Sequence, residues 1–215
     1  MGTRERKIRE KQARKKEILA AARTLLLEKG INGTSINRIA RQAEIGIGTI
    51  YFYYRSKEEL FVELQTEGLA LLNQRIERAC SAEKTPADRI RCMAAAYREF
   101  SKADKNYFEV INSFLCAPDI LLSEALKTRI DTHGHRILGH VRRSLEAGVL
   151  QGTFRGDLSV KKAAVAFWGM LHGLVQFRKL QGTIMEGGQF RHFFNYAVEH
   201  FIAGLSPQPG REHDR

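Results

Sequence analysis

The sequence predicts an all-α protein of about nine helices, and three observations carry that prediction. Apolar residues recur at helical spacings along most of the chain. The four prolines stand at the edges of those patterns and not inside them. The one segment that reads as a strand has no second strand to pair with. The 215 residues suffice for one large domain or for a small domain joined to a larger one. An apolar content of 43% and a charged content of 27% are those of a globular chain. No run of about eighteen apolar residues is present to cross a membrane. The basic start "MGTRERKIREKQARKKE" lacks the apolar stretch of a secretory signal, so a cytoplasmic protein is expected. Cys80, Cys92 and Cys116 are scattered, odd in number and without CxxC spacing. They read as small buried side chains in a reducing compartment, not as metal ligands or disulfide partners.

Ile18, Ala22, Leu25 and Leu26 follow i, i+4, i+7, i+8, which predicts an amphipathic helix from about residue 10 to about residue 29. Gly30 ends it as a left-handed cap, with Ile31 placed for the apolar contact that accompanies such caps. Ahead of it, residues 1–11 are expected to form a flexible basic arm. Thr34 or Ser35 then caps a short helix with apolar positions Ile36, Ile39, Ala40 and Ala43. A turn, Glu44-Ile45-Gly46, follows, with Gly46 expected to take the tight-turn geometry.

The next element, "IGTIYFYY" (47–54), is the strand-like one, because Thr, Ile, Tyr and Phe favour pleated surfaces. Without a partner strand it is read as a helix. Ser56 to Glu59 forms a capping box that opens a helix through Leu60, Leu64, Leu71, Leu72 and Ile76. Thr85-Pro86 starts another, containing Tyr97 and Phe100, and "NYFEVINSFL" a short one. Pro118 marks the next boundary. Leu126, Ile130, Ile137, Val141 and Leu145 give a long single-stripe helix over about 119–149. After the glycine-studded connector "GVLQGTFRGD", residues 163–177 are apolar around nearly the whole circumference. With "FRHFFNYAVEHFIAGL" beyond them, they suggest a homodimer through the last two helices, or else a deeply buried core helix in a monomer. The polar tail, 206–215, is expected to be disordered.

Charge and side-chain direction bear on function. The net charge is +11. Residues 1–60 hold 14 Lys/Arg against 7 Asp/Glu, while the remaining 155 residues are nearly balanced. Residues 1–16 alone carry eight basic side chains and two acidic ones. A basic end on a balanced body suits a polyanionic partner, although a solvated face reads the same way. In a helix over 47–54, Ile47, Ile50 and Tyr54 fall on one packing stripe with Tyr51 at its edge. Gly48, Thr49, Phe52 and Tyr53 point elsewhere. Such an outward face suits a DNA major groove, where apolar groups meet thymine methyls and hydroxyls meet base edges or phosphates.

The segment "TSINRIARQAEIGIGTIYFYYRSKEEL" (34–60) resembles the helix-turn-helix of the TetR family of bacterial transcription regulators. The shared positions are Ile39-Ala40, Ile45, Gly48-Thr49-Ile50-Tyr51, the aromatics Phe52, Tyr53 and Tyr54, and Ser56-Lys57-Glu58-Glu59-Leu60. "KKEILAAARTLLLEKGINGTS" is similar to the family's first helix and the turn after it. The match covers about residues 12–72, with the motif itself at 35–54; beyond it the chain resembles the family in layout alone. Two departures stand out: the family's usual turn glycine is Glu44 here, and its usual polar cap is Gly46.

The resemblance implies a three-helix DNA-binding domain over 12–57 and a helical effector-binding and dimerisation domain over 58–205. It implies that Thr49, Phe52 and Tyr53 face bases or the groove wall, and that Tyr51, Lys57 and Thr34 hold phosphates. Ser35, Asn37, Ile47 and Gly48 complete the expected DNA-contacting set. The basic residues from Arg4 to Lys16 would add contacts ordered only on DNA. The larger domain is expected to hold a small hydrophobic effector among Tyr97, Phe100, Tyr107, Ile111, Phe114, Phe167, Trp168 and His172.

Other chemistries find little support. His133, His135 and His140 cannot converge from one helix, so no metal site is expected. "GIG" lacks the strand, the further glycine and the lysine of a phosphate loop, and no GxSxG or HExxH occurs, so neither cofactor nor catalysis is expected. The expected partner is double-stranded operator DNA, bound by a homodimeric repressor. The alternatives are a non-specific nucleic-acid packaging protein and an all-helical enzyme.

Overall fold

In the computed structural model, the described residues are 3–80, 85–115, 122–178, 183 and 189–207. Among them lie nine helices and no strand: α1 (Thr3–Gly33), α2 (Ile36–Gln42), α3 (Ile47–Tyr53), α4 (Lys57–Ala79), α5 (Pro86–Ala103), α6 (Lys105–Leu115), α7 (Glu124–Leu150), α8 (Val160–Phe177) and α9 (Phe190–Leu205). No helix among the described residues is long and apolar enough to cross a membrane. Pro118, Cys116 and residues 208–215 lie outside the described residues, and with them the expected boundary at Pro118 and most of the expected tail.

The helix termini follow from their caps. Ser56 Oγ accepts from the Glu59 amide at 3.2 Å, and the Glu59 carboxylate accepts from the Arg55 amide at 2.7 Å, so α4 opens on a reciprocal box. Thr85 Oγ1 accepts from the Asp88 amide at 3.2 Å and donates to the Asp88 carboxylate at 2.6 Å. Each such cap is worth about 1 kcal/mol. Gly30 breaks the helical backbone of α1 at φ 69°.

The start of α1 departs from expectation. Residues 3–11, expected as a flexible arm, are helical. No glycine or proline interrupts residues 3–29. The acidic side chains among the basic ones are also spaced to pair along the helix, with Arg6–Glu10 at 2.9 Å and Arg14–Glu17 at 2.7 Å. Such pairs add a few tenths of a kcal/mol each, about 0.2–0.5.

The chain forms two compact units, one of residues Met1–Leu71 and Asp104–His133, the other of Leu72–Ala103 and Gly134–Arg215. This division differs from a single cut near residue 57. The core of the first unit joins Ile18, Ala22, Leu25 and Leu26 of α1 to Ile36, Ile39, Ile50, Tyr54, Leu60, Leu64 and Val110, with Ile31 packed against it as the cap at Gly30 requires. In the second unit α5 packs on α8 and α9. Arg91 of α5 reaches Glu199 of α9 through two hydrogen bonds of 2.8 and 2.7 Å. Arg98 donates to Asn195 at 2.7 Å with its guanidinium 5.4 Å from the Phe194 ring. At the end of α7, a Cβ on Gly148 would stand 2.0 Å from buried Phe154, so only glycine admits that ring.

Candidate nucleic-acid interface

The turn between α2 and α3 sets the geometry of the basic end. The Ile45 amide donates to the Ala40 carbonyl at 3.0 Å and the Glu44 amide to Arg41 at 3.2 Å. This is the paired bonding of a Schellman stop, which requires its first residue beyond the helix to be left-handed. That residue is Glu44, at φ 54°. Gly46, expected to make the tight turn, instead has an ordinary extended backbone at φ −68° and caps α3 through its carbonyl. The strained position is therefore two residues earlier, where the helix actually stops.

Ile45 tucks against the core at the start of α3, and Ile50 and Tyr54 are buried further along it. Because Ile45 already fills the inner place, Ile47 turns outward and is 43% exposed, which corrects its assignment to the packing stripe. Tyr53 packs half-buried against the same core and meets Phe52 edge-on at 5.1 Å. The open face of α3 is thus Ile47, Gly48, Tyr51 and Phe52, the last 75% exposed, with Thr49 half-buried at its side. A Cβ on Gly48 would meet nothing within 4 Å, so the face is clear there for an approaching surface.

Thr34, expected to hold a phosphate, is 1% exposed, and its hydroxyl donates to the Gly30 carbonyl at 2.8 Å. Its role is to tie the stop of α1, and the residue that caps α2 is exposed Ser35, whose Oγ accepts from the Arg38 amide at 3.4 Å. Asn37 is exposed on the first turn of α2. Lys57 is half-buried, its Nζ donating to the Ile31 carbonyl at 3.4 Å and lying 5.7 Å from the Phe61 ring.

The sequence reading missed a groove of about 460 Å³ lined by Lys7, Glu10, Lys11, Arg14, Phe52 and Tyr53. Lys7, Lys11 and Arg14 stand on one face of α1 because they are four and three residues apart. Lys15, one residue on, is 5.2 Å from the ring of Tyr54 and ties α1 to the end of α3. The signal available was the unbroken helical propensity of residues 3–29. Tyr54 itself is buried and its hydroxyl has no hydrogen-bond partner among the described residues. Burial, with Glu63, Glu67 and Glu59 nearby, pushes its phenol well above the ordinary range.

The expected effector residues divide between the two units. In the first, Tyr107 donates to the Glu67 carboxylate at 3.2 Å, Ile111 and Tyr107 close over Gly68, and Phe114 meets Phe61 edge-on at 6.3 Å. In the second, Tyr97 lies 2.9 Å from His172 Nδ1 and 5.0 Å from the Trp168 ring, while Phe100 and Phe167 are fully buried. Burial lowers the affinity of His172 for a proton and raises that of the Tyr97 phenolate, so both are neutral near pH 7.

Residues 18–64 match the family model described as bacterial regulatory proteins, tetR family, and residues 90–201 match the tetracyclin repressor-like C-terminal domain. Among curated relatives, the fatty acid metabolism regulator protein of Bacillus subtilis is 21% identical over 164 residues, spanning 76% of this chain and 82% of its own. A transcriptional regulator FadR from Bacillus subtilis, solved with stearoyl-CoA, superposes with a TM-score of 0.73 at 20% identity, covering 88% of this chain and 98% of that one. AibR, solved with isovaleryl coenzyme A and operator DNA, gives 0.68 at 18% identity over 90% and 98%. At these identities the two solved structures speak for the fold.

Proposed function

The chain belongs to the tetR family of bacterial regulatory proteins and is a DNA-binding regulator of transcription; on that premise we propose that it is a cytoplasmic repressor, acting by binding and not by catalysis. It binds a near-palindromic operator as a homodimer and leaves it when a small effector with an apolar tail binds. Residues 12–57 serve as the DNA-binding domain and residues 58–205 as the effector-binding and dimerisation domain. The observation that carries the reading is the open face of α3, where Ile47, Gly48, Tyr51 and Phe52 are exposed on the most basic part of the chain. No fold-stabilising reason exists for a ring as exposed as Phe52, whereas thymine methyls offer it apolar contact in a major groove. Thr49 and Tyr53 flank that face, Ser35, Asn37 and Lys57 supply phosphate contacts beside it, and Lys7, Lys11 and Arg14 extend these along α1.

Dimerisation is supported by α8 and α9, where Val165, Phe177, Phe193 and Tyr196 are exposed. Two copies of α3 then enter successive major grooves about 34–36 Å apart. That neighbouring structures hold stearoyl-CoA and isovaleryl coenzyme A supports an acylated effector here. Effector binding weakens DNA affinity only through its preference for one of two arrangements of the dimer. Selection of bound sites from random or genomic fragments at physiological salt tests the proposal. A recovered palindrome with half-sites one helical turn apart is expected; recovery of no motif overturns it in favour of non-specific packaging.

A further inference from the structure

Within the second unit, the end of α4, the first turns of α5 and the middle of α7 enclose a cleft of about 230 Å³ lined by Cys80, Arg89, Met93, His140, Arg143 and Ser144. Two guanidinium groups and an imidazole line it, and no carboxylate does. The larger cleft between α5 and α9 is different, because its Arg91 is held by Glu199 and by Asp88. Charge in that cleft is neutralised from within the chain, whereas charge in the α4–α5–α7 cleft is not.

The hydrogen bonds around the cleft orient its cationic wall. An Arg143 Nη lies 2.9 Å from His140 Nδ1. A guanidinium can only donate, so Nδ1 accepts and the imidazole proton sits on Nε2. Nε2 then donates to Asn73 Oδ1 at 3.0 Å, and Asn73 Nδ2 donates to Glu77 at 2.9 Å. Burial and the Arg143 charge both hold His140 below its ordinary range, so it stays a neutral acceptor near pH 7. This relay fixes the Arg143 fork while costing it one donor. Ser144 gives its hydroxyl proton to the His140 carbonyl at 3.0 Å, leaving recognition to the two arginines.

Met93 supplies an apolar wall, and on the same face of α5 it is followed by buried Tyr97 and Phe100. The volume is below the roughly 300–1,000 Å³ of sites that enclose a whole drug-sized ligand, and suits the polar end of one.

We propose that this cleft receives the anionic head of the effector, a carboxylate or phosphate borne on an apolar tail, with Arg89 and Arg143 as its ligands. The proposal rests on the effector-released repressor reading. Isothermal titration of the full-length protein with lauroyl-CoA, laurate, coenzyme A and uncharged 1-lauroylglycerol tests it, alongside release from the selected operator. Lauroyl-CoA or laurate binds, and which of the two is preferred distinguishes phosphate from carboxylate. Arg143→Gln and Arg89→Gln weaken that binding by about 10- to 100-fold, the worth of a charge-assisted hydrogen bond. Arg143→Lys, which keeps the charge and guards against a folding defect in Arg143→Gln, recovers part of the loss. Wild-type affinity in both glutamine variants, or equal binding of 1-lauroylglycerol, overturns the cleft and leaves the effector reading standing. If none of the four binds or releases operator, both fall.

Discussion

Glu44 occupies the left-handed region at φ 54°, in the position where a Schellman stop ordinarily has glycine. An L-residue there costs roughly 1–2 kcal/mol, partly offset by the extra chain entropy that glycine loses on folding. Glu44→Gly should therefore stabilise the protein by about 0.5–1 kcal/mol, read as a higher urea midpoint with an unchanged slope. Glu44→Gln, which removes the charge but keeps the strain, should leave the midpoint where it was. If the two variants behave alike, charge and not backbone strain is the cost. Phe52 and Tyr53 separate in another way. Phe52→Ala should leave the melting temperature unchanged and lower the ratio of operator to random-DNA affinity, by about 1–3 kcal/mol for a lost base contact. Tyr53→Ala should also lower the melting temperature, because that ring packs on the core. Operator preference that survives Phe52→Ala would remove Phe52 from the reading face.

At the scale of elements, α4 carries its own titration. Glu67 is half-buried, accepts from Tyr107 of α6, and is pushed above the ordinary carboxylate range chiefly by that burial, with Glu63 adding to it and Arg23 and Lys16 opposing. A raised carboxylate pKa favours the folded state while the group is protonated, and that contribution is lost as pH rises through the folded value. Glu67→Gln, which still accepts from Tyr107, should match wild-type stability below about pH 4 and exceed it at pH 7; a difference independent of pH would refute this account. How far such elements can be read in advance depends on their length. The stripe Ile18, Ala22, Leu25, Leu26 is buried as the spacing predicts, because two full turns leave one solution. The inner face of α3 was misjudged because seven residues make barely two turns. Ile45 before it and Tyr54 after it decide the rotation, and both depend on contacts with other helices. Helix type, by contrast, was legible in 47–54 from the lack of a strand partner.

For the molecule as a whole, the exposed apolar residues of α8 and α9 make the oligomeric state testable. Val165→Glu combined with Tyr196→Glu, both residues 57% exposed in the single chain, should leave the helical content intact, yield monomers by sedimentation and abolish operator binding. A dimer that persists would place the interface elsewhere. The effector candidates illustrate what a linear reading misses. Tyr97 and Tyr107 are ten residues apart, yet Tyr97 bonds His172 in one unit and Tyr107 bonds Glu67 in the other. The sequence by itself determined the all-helical class, the caps at Ser35, Ser56 and Thr85, the helix-turn-helix and the basic end, because each rests on local spacing and backbone chemistry. Tertiary structure alone decided that Thr34 is spent on Gly30, that Glu44 and not Gly46 bears the turn, that Ile47 faces out, and that Arg89 and Arg143 share a cleft. Those outcomes depend on which side chain reaches a buried place first, and that competition is between residues far apart in the chain.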